Sequence, residues 1–491
     1  MKKLGLFLCL LLVVALFGCG AGGDNSAMGN MGGMSGFENF DEGNNNEYLE
    51  LVEKDFVNTS ENNKVNVSLD SSTAAYGNLR KLIKNLYSIP ADAVNIEQML
   101  NYFPYSYKNE TENQLTSFLE LSACPWNAES HLLSVAVKAK EYTIENDRPN
   151  NFVFLIDTSG SMYSNDKLPL LIESFKFLID NLKENDRVSI VTYASSDQVL
   201  LDGGYGHEKA KISAIMSDLE AYGSTAGSKG IQTAYELASK YYIPNGNNRV
   251  FLATDGDFNV GISSTSALKN FISEKRQTGI YLSLFGYGYG NLKSDIMDTL
   301  AQAGNGNYYY IDSLLEAQKV FGTELGGTLN TVAKDAKAQV EFNQDLVEKY
   351  RLIGYENKQL TDEEFEDSET DAGEIGAGHV TVCLIEVVLK DGAEGTGDLL
   401  KCVLRYKDAL DNDMNKEVVT TCNAITTNPS DDFLFQASVV EFALVLRDSK
   451  YKGDASTARV IERIESKELV SDDYRKEFLE LVKIYNERHL D

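Results

Sequence analysis

The sequence predicts an α/β fold: a doubly wound, mostly parallel sheet inserted in a β-sandwich-like domain, with helices at the C-terminus. Three observations carry this. Between residues 150 and 330, short apolar runs of strand character alternate with stretches of helical period. From 336 to 425 the period becomes that of strands divided by turn residues. Two strand-like runs precede the alternating part, and neither these nor the later runs suffice for a well-closed sandwich. They are therefore expected to pair across the insertion, whose two ends would lie close together.

The chain opens on a targeting segment. Lys2 and Lys3 precede an apolar run, Leu4 to Phe17, that is too short to span a bilayer as a mature helix. Gly20 to about Glu47 is rich in Gly, Asn and Met without periodicity, the composition of a flexible tether. Val65 to Asp70 alternates like a strand. Ser72 to Leu86 has a helical stripe of Leu79, Leu82, Ile83 and Leu86, broken by Pro90; Val94 to Phe103 forms a shorter helix stopped by Pro104. Leu115–Ala123 and His131–Tyr142 are strands joined by Cys124-Pro-Trp-Asn, with Trp126 as a structural plug.

In the alternating part the strands are Phe152–Asp157, Arg187–Tyr193, Arg249–Thr254, Ile280–Gly286 and Tyr308–Ile311, with Val199–Leu201 as a short edge strand. Leu168, Leu171, Ile172, Phe175, Leu178, Ile179 and Leu182 mark the helix after the first strand. Further helices fall near 208–221, 229–242, 265–277, 292–303 and 313–329. The glycines at 286, 288 and 290 do not make a dinucleotide loop, since G-x-G-x-x-G requires glycine at 291, which is Asn291.

Strand runs follow at Ala338–Phe342, Tyr350–Tyr355, Val380–Leu389, Leu399–Tyr406 and Val418–Ile425. The acidic stretch Thr361 to Asp371 is a solvated loop. Asp411-Asn-Asp413-Met-Asn415 is a hairpin turn rather than a calcium loop, since Lys416 stands where an EF-hand needs glycine. At the end, Phe435, Val439, Phe442 and Leu446 mark one helix. Asp454 is expected to cap a second, and Ser471 a third.

Composition narrows the function classes. The chain has 491 residues and a formal net charge of −29, which repels nucleic acid and anionic head groups. Beyond Cys9 and Cys19, four cysteines remain: Cys124, Cys383, Cys402 and Cys422. These are too few for a disulfide scaffold, and buried free thiols are expected.

The chemistry gathers at three places. Asp157, Ser159 and Ser161 follow a buried strand at alternating positions, a set of hard oxygens suited to a hard divalent cation. Such a set lies where open α/β sheets place their ligands. Thr225 sits in the small-residue loop Gly223 to Gly230, and Asp255 ends a second buried strand. The bland alternative for all five is capping of helices and turns. No H-E-x-x-H or G-x-S-x-G occurs and the four histidines are scattered, so no enzyme is expected and a metal-activated hydrolase is disfavoured.

The order D-x-S-x-S, then threonine in a Gly-rich loop, then T-D-G resembles the metal-ion-dependent adhesion site (MIDAS) of von Willebrand factor A domains, and all five positions match. Ile89-Pro90, Asn101-Tyr-Phe-Pro104, Cys124-Pro-Trp-Asn127, Ala253 to Val260 and Asp371 to His379 resemble bacterial A-domain lipoproteins of the YfbK type, from about residue 65 to the C-terminus. Leu16-Phe-Gly-Cys19 resembles a lipobox, which implies lipidation at Cys19 and a mature chain anchored to a bacterial membrane outside the cytoplasm, at the cell surface or in the periplasm. The resemblance implies these segments: 1–18 signal peptide, 19–47 tether, 48–145 N-terminal helices and strands, 146–332 A domain, 333–428 β-rich domain, 429–491 C-terminal helices. It further implies Mg2+ (or Mn2+ or Ca2+) on Asp157, Ser159, Ser161, Thr225 and Asp255, with a partner protein's Asp or Glu carboxylate completing the coordination. The expected function is cation-dependent protein binding in adhesion or envelope assembly, the alternative a structural surface protein stiffened by its metal.

Overall fold

The computed structural model describes residues 48–69, 72–141, 148–223, 229–256, 262, 264–289, 293–393, 397–411 and 414–489. The signal segment, the tether, Cys19 and Thr225 lie outside the described residues.

The inserted part forms a six-stranded sheet. Its strands are β5 (Asn150–Asp157), β6 (Arg187–Tyr193), β7 (Asp197–Tyr205), β8 (Asn247–Thr254), β9 (Ile280–Tyr287) and β10 (Tyr308–Ile311), in the order β10-β9-β8-β5-β6-β7. All neighbours are parallel except β6 and β7. β5 and β8 are buried along their whole length, so their sequences read as apolar runs without alternation. Helices cover both faces, among them α4 (Lys209–Ser217) on one and α6 (Thr265–Arg276) and α7 (Ser294–Ala303) on the other. α3 (Leu168–Asp180) packs Leu171, Phe175 and Leu178 against Phe154 and Phe285. α5 (Gly230–Lys240) packs Ile231, Ala234 and Tyr235 against Val153, Leu155 and Val250 on the other face.

Two of the expected elements differ. The edge strand is β7, nine residues rather than three, with Val199 and Leu200 turned outward. The single helix expected at 313–329 is broken into α8 (Leu314–Gln318), a π-helical turn (Lys319–Thr323) and α9 (Leu325–Leu329). Gly322, Gly326 and Gly327 weaken a continuous helix there. The π turn seats Phe321 between Phe175 and Phe285, with ring centroids 5.3 and 4.8 Å away.

Around this unit lie two antiparallel sheets. One has the order β1-β12-β15-β4-β3, from β1 (Val57–Asn58), β3 (Leu115–Ala123), β4 (His131–Ala139), β12 (Val347–Ile353) and β15 (Val380–Leu389). The other has the order β13-β2-β11-β16-β17, from β2 (Lys64–Ser68), β11 (Thr331–Phe342), β13 (Gln359–Leu360), β16 (Leu400–Asp408) and β17 (Met414–Cys422), while β14 (Gly373–Gly376) pairs with β11. Both sheets combine strands from before and after the insertion: β4 pairs with β15 along eight residues, and β2 with β11 along five. Val65, Val67, Val135, Ala338, Ile385 and Leu404 share the core between them. The acidic stretch contains a short helix, α10 (Asp362–Glu366), which Thr361 and Glu364 close with a reciprocal capping box.

The outer face of the first sheet is covered by α1 (Ala74–Lys84), α2 (Ile96–Asn101), α11 (Asp431–Leu446), α12 (Thr457–Ser466) and α13 (Asp473–Arg488). α11 is buried on all sides rather than along one stripe. Its interior polar groups find partners: Gln436 accepts from Ser134 Oγ at 2.6 Å and Glu441 pairs with Arg463 at 2.5 Å. The caps of the last two helices lie later than expected. Asp454 donates its backbone N–H to Trp126 O, and Gly453 (φ +50°) packs so close to that carbonyl that a Cβ would stand 2.2 Å from it. This pins the turn, so Ser456 caps α12, and Asp472 rather than Ser471 caps α13. Trp126 is fully buried, and the four cysteines are buried and free. Burial pushes the Cys124 and Cys402 thiols up to about 12.

One buried carboxyl makes the fold pH-sensitive. Burial, then the neighbouring Glu356 carboxylate, push Glu97 from 4.5 up to about 7. Its folded value lies above its unfolded value, so its contribution is complete below about pH 4.5 and is lost as pH rises through about 7. The unfolding free energy read from urea titration should fall across that window, by an amount on the order of 3 kcal/mol from this group. Glu97→Gln, which keeps an acceptor for the Tyr355 N–H now bonded at 3.0 Å, should flatten the profile. A profile unchanged by the substitution would show that Glu97 is not the group responsible.

Candidate metal centre

The site lies at the carboxyl ends of β5 and β8, neighbours at the point where strand order reverses. Asp157 is the last residue of β5, and Asp255 follows the last residue of β8. Both carboxylates are buried, as is Ser159. Beyond Asp157 the chain leaves the sheet in an extended conformation at Ser159 and enters a short 3-10 turn, Gly160–Tyr163. Met162 is the apolar anchor of that turn, fully buried beneath it. The turn brings Ser159 Oγ within 3.0 Å of Ser161 Oγ, two hydroxyls aimed at one region.

Asp157 is held on both oxygens: Ser159 N–H donates to Oδ1 at 2.9 Å and Thr254 Oγ donates to Oδ2 at 3.2 Å. Burial pushes its carboxyl up to about 6, reinforced by the Asp255 charge and opposed by the hydrogen bonds from Ser159 and Thr254. Two buried carboxylates that repel one another are what a cation would relieve. Asp255 Oδ2 accepts from Lys167 Nζ at 2.7 Å, and the same ammonium donates to Ser161 O at 2.9 Å.

The structure brings together Asp157, Ser159, Ser161 and Asp255. Thr225 lies outside the described residues, but the chain leading to it is anchored at the site. Tyr222 donates its N–H to Thr158 O at 2.8 Å, and Gly223 O accepts from Gly160 N–H at 3.0 Å. Gly223 has φ +79°, and a Cβ there would meet Ser195 Oγ at 2.7 Å, so glycine is required for that approach. Lys229 is exposed at the start of α5.

Among the described residues no group of three or more His, Cys, Asp or Glu gathers as metal ligands. The donor set here is instead two carboxylates and two hydroxyls, all hard oxygens. It suits Mg2+, Mn2+ or Ca2+ and not a soft ion. The residue that sequence reasoning missed is Lys167. It stands ten positions after Asp157, directly before α3, and nothing in its local sequence separates it from a solvated lysine.

Three family models match the chain: "von Willebrand factor" over residues 42–134, "von Willebrand factor type A domain" over 151–323 and "Uncharacterized protein YfbK, C-terminal" over 327–487. YfbK of Escherichia coli (strain K12) is 37% identical over 468 residues, covering 89% of this chain and 80% of that protein. Human inter-alpha-trypsin inhibitor heavy chain H2 is 23% identical over 208 residues, 40% of this chain and 21% of that one. Among solved structures, the von Willebrand factor type A protein from Catenulispora acidiphila is 16% identical, with a TM-score of 0.44, over 77% of this chain and 92% of that chain. A domains commonly bind a divalent metal through a MIDAS and mediate protein interactions. The identity with the Escherichia coli protein extends over nearly the whole chain, and the type A domain model spans the inserted sheet whose carboxyl end holds Asp157 and Asp255, so the chain belongs to the YfbK family of von Willebrand factor type A domain proteins.

Proposed function

We propose that this chain is a divalent-cation-dependent protein-binding module, serving adhesion or envelope assembly, on a bacterial lipoprotein. Its lipid is carried by Cys19, outside the cytoplasm. Asp157, Ser159, Ser161, Thr225 and Asp255 hold Mg2+, or Mn2+ or Ca2+. The bound ion supplies Lewis acidity toward an anionic oxygen, and the partner offers an Asp or Glu carboxylate. The observation that carries this reading is the pairing of two neutral hydroxyls, 3.0 Å apart, with two buried carboxylates. Hydroxyls fill coordination positions without adding negative charge, so the two carboxylates do no more than balance a divalent ion, and a remaining coordination position is open to a partner's carboxylate.

The surroundings suit a protein partner. Tyr163, in the turn that carries Ser161, is 81% exposed, and Tyr222, beside Gly223, is 54% exposed. Exposed tyrosines are the residue type that anchors protein interfaces. The role of the chain's own residues is to hold and orient, not to transform.

The test is affinity capture from envelope extracts with the full-length protein, in Mg2+ and in EDTA. Partners retained in Mg2+ and released by EDTA support the reading. Capture indifferent to EDTA overturns it. A large EDTA-induced loss of melting temperature with no metal-dependent partner would point to a structural role for the ion.

A further inference from the structure

We infer that Lys167 is a built-in counter-cation of the metal site, which weakens metal binding and strengthens capture of the partner's carboxylate. This rests on the metal-binding reading above. Lys167 is almost completely buried, and its ammonium bridges two parts of the site: Asp255 Oδ2 at 2.7 Å and Ser161 O at 2.9 Å. Its stem lies in a slot over the end of β9. Gly288 there has φ +78°, and a Cβ at that position would stand 2.4 Å from Lys167 Cε and 2.6 Å from Cγ. Backbone and side chain are thus both arranged to admit this lysine, unlike the exposed Lys229.

Charge gives the consequence. Among the described residues, two carboxylates and one ammonium leave the protein side of the site with one negative charge. A bound divalent ion makes the assembly net positive, where without Lys167 it would be neutral. The ammonium commits one oxygen of Asp255 and repels the incoming ion, so metal affinity falls. The same positive charge attracts a carboxylate that arrives afterwards. The site therefore sacrifices hold on the ion for hold on the ligand.

Lys167→Met keeps the stem and removes the charge. With full-length protein, Mn2+ affinity is read by calorimetry. Acetate is the carboxylate probe, and its binding to the Mn2+-loaded protein is read from displacement of metal-bound water by proton relaxation. The expected result is opposite movement: Mn2+ binds roughly tenfold more tightly to the variant and acetate roughly tenfold more weakly. If both weaken together, Lys167 is only a structural prop, and the inference is overturned. If neither moves, it is overturned as well. Gly288→Ala, which crowds the lysine stem without removing its charge, is a second variant should Lys167→Met fold poorly. Displacing the ammonium should shift both affinities in the same opposed directions, and no shift would overturn the inference. Native protein that binds no Mn2+ at all would remove the metal-site reading itself, an outcome distinct from the others.

Discussion

Asp157→Ala is expected to lower Mn2+ affinity about a hundredfold or more, and to abolish any Mg2+-dependent capture of a partner, while the chain stays folded. Loss of residues that merely orient a metal ligand costs 10–100-fold, so loss of a carboxylate ligand belongs at or beyond the top of that range. The fold should survive because two effects oppose each other. Removing the side chain deprives Ser159 N–H and Thr254 Oγ of an acceptor, each worth about 1 kcal/mol. It also removes a buried carboxyl whose value has been pushed to about 6, and so a charge the interior resists at neutral pH. The signature is a melting comparison. In EDTA the variant should melt close to the native protein. In Mg2+ the native protein alone should rise, because only a state that binds the ion is stabilised by it. An equal rise in both proteins would place the ion elsewhere.

The largest loss of stability is expected from Arg80→Met. Arg80 is completely buried on α1. It pairs with Asp312 at the end of β10, with Glu316 of α8 at 2.8 Å, with Glu477 of α13 at 2.9 Å, and with the Tyr102 hydroxyl at 2.9 Å. The carboxylates come from the inserted domain and the C-terminal helices, while the guanidinium comes from the N-terminal segment. Burial pushes Glu316 up even with Arg80 beside it. Removing the guanidinium therefore leaves buried acids without their counter-charge, a loss of about 3–5 kcal/mol in urea unfolding. Lys84→Ala is the control, because Lys84 meets the same Glu477 from a largely exposed position. It should cost no more than about 0.5 kcal/mol. Equal effects for the two substitutions would mean that Arg80 is an ordinary ion pair.

The Arg80 cluster bears on the candidate metal centre as well. On the same helix, Lys81 bonds Asp166 at 2.5 Å, one residue before Lys167. Tyr87 stacks on Tyr289, one residue after Gly288, with centroids 4.6 Å apart. The N-terminal segment thus braces both chains that form the Lys167 slot, and Arg80→Met is expected to disturb metal binding secondarily.

What the sequence settled by itself was whatever depends on neighbours along the chain. The apolar run Phe152 to Ile156 is a buried strand because β-branched and aromatic side chains fit a sheet covered on both faces. The alternation of strand and helix through residues 150–330 dictated a parallel sheet, since parallel strands require crossovers. Asp157, Ser159 and Ser161 were legible as a cluster of hard oxygens, a candidate cation site, because their spacing and position at a strand end are local facts. Tertiary structure alone decided the rest. The buried faces of α11, where polar Gln436 and Glu441 disguise a helix enclosed on every side, depend on partners such as Ser134 and Arg463, hundreds or tens of residues away. Lys167 and Arg80 look in sequence like any solvated cation. Their roles come from carboxylates brought to them by folding, because electrostatic pairing depends on distance in space and on exclusion of water, and neither is written in the order of residues.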